Sequence, residues 1–372
     1  MELNRREFIS ASAITAALTV LPINSAQAKI RKLKNGIDIS WLPDVEAAGA
    51  KFFTGTGSVI DPIRLMKISG ISVGRIRVWV NPEGVNGSIN RAIKLAKRLK
   101  QQGIEICIDF HFSDTWADPA HQSIPSAWSS DSLSQLKTDL SQYISSALYK
   151  FRTAKVTPQW VQLGNEISNG FLWPLGKIDS NSAEQWRSFV ALYKSATKAL
   201  RKASPKSQSI LHLDCGGDSS KLQWWFSMAE QYGLTDYDVV GLSYYSQWHG
   251  SFSNLRAGLS TALELTGKPV LIVETAYPWT VRKFGDDVLD VEKSGLANLP
   301  LTEVGQANYV KQFQSMMRSL PKNAGLGIWW WEGLSRQVRA NNGNVIWNGG
   351  MGNSTLVDNN GRPLKSLTEL GK

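Results

Sequence analysis

The 372-residue sequence has only two cysteines and four histidines. Two thiols cannot build a disulfide framework, and no CxxC, HExxH or His-x-His motif offers metal-ligand spacing. Cys107 and Cys215 sit in or beside apolar strand-like runs (Ile104–Phe112 and Ile210–Asp214), so they read as buried, unpaired thiols, with a bridge between them the less favoured alternative. No P-loop is present, and Gly55-Thr-Gly57-Ser-Val-Ile fails at the third glycine of a dinucleotide fingerprint. No metal or cofactor is therefore expected. Charge is also scarce: 19% of residues are charged against 42% hydrophobic. The excess of 41 Lys and Arg over 31 Asp and Glu is scattered rather than gathered into a stripe, which argues against a nucleic-acid partner.

What the chain does have is tryptophan, 15 in all. That density suits either a Trp-rich core or a surface that grips flat faces such as sugars, because an indole offers negative π density to weakly positive C–H groups. Eleven of the 15 (41, 79, 116, 128, 173, 248, 279, 329, 330, 331 and 347) fall at expected strand ends or in the loops just beyond, which favours a single face.

The first 28 residues are set apart from the fold. Asn4-Arg-Arg-Glu-Phe-Ile-Ser10 resembles the twin-arginine export motif, an uncharged run follows from Ile9, and Ala26-Gln-Ala28 fits a small-x-small cleavage site. Its apolar core, 11–21, falls well short of the ~20 residues of a spanning helix. The reading is a signal peptide over 1–28 and one catalytic domain over 29–372. The mature protein is expected to be periplasmic or secreted, without a membrane partner, and monomeric.

Eight short runs rich in Val, Ile and aromatic residues predict buried strands at Gly36–Ser40, Gly74–Val80, Glu105–Phe112, Trp160–Ile167, Ser209–Asp214, Val239–Tyr245, Pro269–Tyr277 and Gly325–Glu332. Helical periodicity separates them, as in Ser88–Gln102, where Ile89, Ile93, Leu95, Ala96 and Leu99 share a face before Gly103. Asp131 is the expected N-cap of the helix over Ser132–Phe151. Eight such repeats give an α/β class, single-domain (β/α)8 TIM barrel, with an open doubly wound sheet as the alternative.

A barrel enzyme carries its chemistry at the C-terminal strand ends. There the fourth strand ends in Asn165-Glu166 and the seventh in Glu274, 108 residues and three repeats further on, so the two carboxylates face each other across the axis. Such a pair supplies the proton donor and the nucleophile or base that glycosidic cleavage requires.

The segments around them are specific. Gly36-Ile-Asp-Ile-Ser40, Arg77-Val-Trp-Val-Asn-Pro82, His111-Phe-Ser-Asp-Thr-Trp-Ala-Asp-Pro119, Gly164-Asn-Glu-Ile-Ser-Asn-Gly170, Leu172-Trp-Pro-Leu-Gly176, Leu242-Ser-Tyr-Tyr245 and Val273-Glu-Thr-Ala-Tyr-Pro278 together resemble glycoside hydrolase family 53, the endo-β-1,4-galactanases of the retaining clan A. The resemblance runs from about Asn35 to the C-terminus. It implies that Glu166 is the acid/base, Glu274 the nucleophile and the substrate a galactan, as in pectin side chains. It also implies that Asn165 binds the sugar 2-hydroxyl and that Tyr245 holds the nucleophile, with Tyr244 the register alternative. Arg77 is the cation expected to keep Glu274 ionised. His111, Asp214 and Trp330 are expected to line the sugar site, Trp116 and Trp173 to clamp the sugar chain from the loops after the third and fourth strands, and Trp347 to serve as a remote-subsite stacking platform. Some members bind calcium after the seventh strand. Here Trp279–Asp287 and Asp290 lack alternating ligand spacing, so calcium is not expected. A different clan A β-glycanase and a catalytically silent sugar-binding protein are the rival readings.

Exported protein should begin near Lys29 when its N-terminus is sequenced; recovery of intact Met1 would contradict the export reading.

Overall fold

A computed structural model describes residues 32–285 and 287–372. The proposed signal peptide over 1–28 lies outside the described residues. Residues Leu33–Lys372 form one compact unit. Eight parallel strands close into a barrel: β1 (Gly36–Asp38), β2 (Val73–Val78), β3 (Glu105–Phe110), β4 (Trp160–Leu163), β5 (Gln208–Leu213), β6 (Val239–Ser243), β7 (Val270–Thr275) and β8 (Gly325–Trp330). Each pairs with the next in sequence, and β1 closes the ring on β8 through Gly36 opposite Trp329. A glycine is required at that seam, since a Cβ on Gly36 would lie 2.7 Å from the Trp329 indole.

Helices cover the outside for the reason that the periodicity gives. In Ile89–Gln101, Ala92, Leu95, Ala96 and Leu99 are buried on one face, Ser88 caps the start by accepting from the Arg91 N–H, and Gly103 follows the end at a φ of 63°. The cap expected at Asp131 is instead Ser132, whose hydroxyl accepts from the Gln135 N–H. Three positions back from the donating N–H is the cap position, and Asp131 stands one residue too far out.

Strand alternation sorts the barrel interior into layers. Val73, Cys107, Trp160, Ile210, Val239, Leu271, Val273 and Trp329 form a closed apolar cluster. Cys107 and Cys215 are free and buried. One step toward the C-terminal ends, Arg75, Asp109, Gln162 and His212 are all buried and polar. The apolar floor is thus surmounted by a polar layer.

The strands end sooner than the hydrophobic runs suggest because the backbone turns out of the β region. Phe112, Gly164 and Glu166 have φ values of 54°, 90° and 49°. Two small hairpins, Phe52–Phe53 with Val59–Ile60 and Val338–Arg339 with Val345–Trp347, were not visible as strand signals because each strand is only two or three residues long.

Gly164 carries the turn that delivers Asn165 and Glu166 to the barrel mouth, and a Cβ there would meet Ile167 Cγ2 at 2.6 Å. Gly164→Ala should cost about 1–3 kcal/mol through the positive φ and the overlap together. Urea unfolding would show a lowered midpoint; an unchanged midpoint would contradict this account of the turn.

Candidate active site

The C-terminal ends of the strands surround a cleft of about 780 Å³. Its floor is organised by Arg75, which is 1% exposed. One guanidinium nitrogen lies 2.9 Å from Asp38; the other reaches Asp109 at 2.8 Å, Glu274 at 2.7 Å and the Asn165 Oδ1 at 2.9 Å. Gln162 accepts from Arg75 Nε through its Oε1, leaving its Nε2 to donate to Asp109 and to His212 Nδ1. Buried charges are stable only when paired and hydrogen-bonded, and this planar five-donor fork meets that need from one side chain.

Glu274 is 7% exposed. One oxygen accepts from Arg75 and the other from the Tyr245 hydroxyl at 3.1 Å. Glu166 stands on β4's turn and accepts at Oε1 from the Ser243 hydroxyl at 2.6 Å. Burial raises both carboxyl groups. For Glu166 the Glu274 charge adds to burial and pushes it well above the usual carboxylate range. For Glu274 the Arg75 charge is the largest effect opposing burial, so its rise is smaller. The expected net lowering of Glu274 is therefore not found, because desolvation outweighs the cation. What survives is the separation: of the two, Glu166 is the one that keeps a proton.

The cation beside Glu274 is Arg75, not Arg77 as expected. Both face the interior at i, i+2 on β2, but Arg77 lies one layer nearer the mouth. There its guanidinium carbon sits 3.8 Å from the Trp116 ring centroid and 4.8 Å from that of Trp79, and it approaches Glu332 at 3.9 Å. Arg77 still lines the cleft. Glu332, whose carboxylate oxygens accept from the Trp41 N–H, is pushed well above the usual range by burial and then by the Asp38 charge.

His111 is buried at the cleft wall with both ring nitrogens engaged. Nε2 pairs with Asp109 at 3.0 Å and Nδ1 accepts the Ala117 N–H at 3.0 Å. The ring thereby fixes the loop that carries Trp116, and burial lowers its pKa. Asn165 donates one N–H to the Ala117 carbonyl, tying the same loop to the turn that carries Glu166.

His111, Trp116, Asn165, Glu166, Asp214, Tyr245 and Glu274 thus come together around one cleft, and Asp214 lies 3.3 Å from Lys221. Tyr245 rather than Tyr244 holds Glu274; Tyr244 turns outward and donates to the Gly250 carbonyl. Trp330 does not line the cleft. It faces the helices, donating to the Ser354 carbonyl beside Tyr309, and Trp331, the next residue, takes its expected place. Alternation decides this: Trp329 points into the barrel, Trp330 out and Trp331 back toward the mouth.

Trp347, expected as a remote platform, packs edge-on against Trp41, which lines the cleft. Trp173 is absent from the wall and lies under Lys177. Of the 11 tryptophans assigned to one face, Trp41, Trp116, Trp248 and Trp331 line the cleft. Arg75, Asp38, Asp109, Gln162, His212, Ser243 and Glu332 had been given no role. For Arg75 and Asp109 the signal was present: each lies two residues before Arg77 or His111 on a strand otherwise buried and apolar.

A family model described as Glycosyl hydrolase family 53 matches residues 34–370. An arabinogalactan endo-beta-1,4-galactanase of Thermothelomyces thermophilus is 31% identical, with 90% of this chain and 97% of that relative covered. One from Cellvibrio japonicus is 32% identical over 86% of this chain and 85% of its own length. Among solved structures, the GH53 catalytic domain of Ignisphaera aggregans superposes with a TM-score of 0.82 at 29% identity, covering 91% of this chain and 95% of that one.

Replacing Arg75 by Met would leave the carboxylates of Asp38, Asp109 and Glu274 buried without their shared cation. The loss should be about 3–5 kcal/mol at pH 7. It should shrink as pH falls, because protonation relieves carboxylates stranded in a low dielectric. Urea unfolding at pH 7 and pH 5 would show this; equal stability of variant and parent at pH 7 would contradict the central role of Arg75.

Proposed function

The chain belongs to glycosyl hydrolase family 53, and from that premise we propose that it is an endo-β-1,4-galactanase that cleaves galactan with retention of anomeric configuration. The observation that carries the mechanism is the unequal treatment of two glutamates, one buried and one half-buried: Glu274 touches Arg75 at 2.7 Å, whereas Glu166 receives only a neutral hydroxyl.

In the first step a Glu274 oxygen attacks the anomeric carbon. The bond to the leaving sugar's O4 breaks, and the proton of Glu166 passes to that oxygen. Glu274 becomes a neutral ester, so the repulsion that raised Glu166 disappears and Glu166 is left as a base. It then takes a proton from water as the water oxygen displaces Glu274 from the anomeric carbon. The Asn165 N–H not used by the Ala117 carbonyl serves the sugar 2-hydroxyl. Trp41, Trp116, Trp248 and Trp331 supply aromatic surface along the cleft for the faces of successive sugars. Export through the N-terminal segment over 1–28 would bring the enzyme to its polysaccharide outside the cytoplasm, working as a monomer.

Digestion of linear β-1,4-galactan should yield oligosaccharides whose new reducing ends are first seen by NMR as the β-anomer. Glu274→Ala should reduce kcat by about 10⁴-fold or more, in line with loss of a nucleophile. Activity on mannan but not galactan would overturn the substrate assignment, and initial release of the α-anomer would overturn retention. The pH profile of kcat/KM should fall on the acid side as Glu274 gains a proton and on the alkaline side as Glu166 loses one. With Glu166 raised well above the usual carboxylate range, the alkaline limb lies correspondingly high.

A further inference from the structure

Behind Glu166 runs a line of hydrogen bonds whose direction is fixed by groups that can only donate. Arg75 Nε donates to Gln162 Oε1, which orients that amide so that its Nε2 faces His212. His212 Nδ1 lies 3.0 Å from Gln162 Nε2 and 3.2 Å from the Glu166 backbone N–H. Asn165 Oδ1 also lies 3.1 Å from Nδ1 but already accepts from Arg75, and the Glu166 backbone N–H cannot rotate away, so Nδ1 carries a lone pair and the ring proton is on Nε2. Nε2 lies 2.9 Å from Ser243 Oγ, which therefore accepts from His212. The serine's own proton is left for Glu166 Oε1 at 2.6 Å. His212 and Ser243 are fully buried at 0% exposure, and Glu166 is half-buried.

His212 cannot leave this arrangement by becoming a cation. A proton on Nδ1 would face two N–H donors in a buried site, and burial with the Arg75 charge holds the ring well below its ordinary pKa. Its neutral Nε2–H tautomer is thus built in, and with it the donor role of Ser243.

We propose that Ser243, oriented by His212, is the positioning residue of the acid: by donating to Oε1 of Glu166 it confines the catalytic proton to Oε2, the oxygen left to serve the leaving group. A carboxylic acid whose Oε1 already receives a hydrogen bond gains nothing by protonating there. The same bond holds the carboxyl in one rotation on a left-handed turn whose φ of 49° already fixes the backbone. Through space, Glu166 is also faced by Glu274, Asp214, Arg75 and Tyr245. Among the described residues, the contact made to its side chain is the serine's. This inference rests on the reading of Glu166 as the acid/base.

The test compares Ser243→Ala and Ser243→Thr with the parent enzyme on two substrates. Linear galactan needs a protonated leaving group; a dinitrophenyl β-1,4-galactobioside does not. Ser243→Ala should lose about 10-fold in kcat/KM on galactan, the scale of one hydrogen bond to an ionisable group. On the dinitrophenyl substrate it should keep kcat/KM within about twofold. Its alkaline limb should move to higher pH, because the donor that favoured the Glu166 carboxylate is gone. Ser243→Thr, which keeps the hydroxyl, should restore both the galactan activity and the limb.

Equal losses on the two substrates, or no loss with the alkaline limb unmoved, would overturn the proposal. Glu166→Gln separates the two levels. If that variant keeps galactan activity, the acid assignment itself fails and the serine's role fails with it. If it loses galactan but not dinitrophenyl activity while Ser243→Ala matches the parent, only the serine's role fails.

Discussion

One guanidinium ties the upper barrel together. Arg75 is 1% exposed and touches Asp38, Asp109, Glu274 and Asn165 within 2.9 Å. Those partners come from β1, β3, β7 and the turn after β4, so a single side chain spans the barrel from wall to wall. Desolvating an ion this completely is costly unless every donor is met. Gln162 completes the set, and in doing so orients the amide that fixes His212.

The functional asymmetry descends from this one placement. Glu274 shares the guanidinium with two other carboxylates, so it is raised by burial yet opposed by a cation at contact. Glu166 is raised by burial and then by the charge of Glu274, against which the Ser243 hydroxyl is the largest opposing effect, so it is raised further. Two glutamates of identical chemistry are thereby given different proton affinities. Arg77, one layer up, is used differently. Packed over Trp116 and Trp79, it braces the aromatic wall rather than Glu274. The barrel thus grades from an apolar floor through a charged layer to an aromatic rim.

All eight strands and the two glutamates were legible in the sequence because continuous apolar runs ending in polar residues are what a parallel barrel demands of its chain. Facing direction was less legible. Arg75 and Arg77 both point inward, and periodicity cannot say which reaches across the axis; that depends on height in the barrel. Three consecutive tryptophans, 329–331, present the same ambiguity, and only the register against β1 and β7 fixes Trp330 outward. The serine behind Glu166 was hidden for another reason. Ser243 matters through a hydrogen-bond direction set by His212, Gln162 and Arg75 from three other strands, and no local spacing encodes that. The hairpins were too short to leave a pattern.

The central claim is that burial and the charge of Glu274, which Arg75 sustains, hold the proton on Glu166. Direct titration of the Glu166 carboxyl by carbon-13 NMR, in the parent enzyme and in Glu274→Gln, tests it most directly. Glu166 should titrate well above an ordinary glutamate in the parent and move down when the neighbouring charge is removed. An ordinary carboxylate value in the parent, or a raised value unmoved in Glu274→Gln, would contradict it.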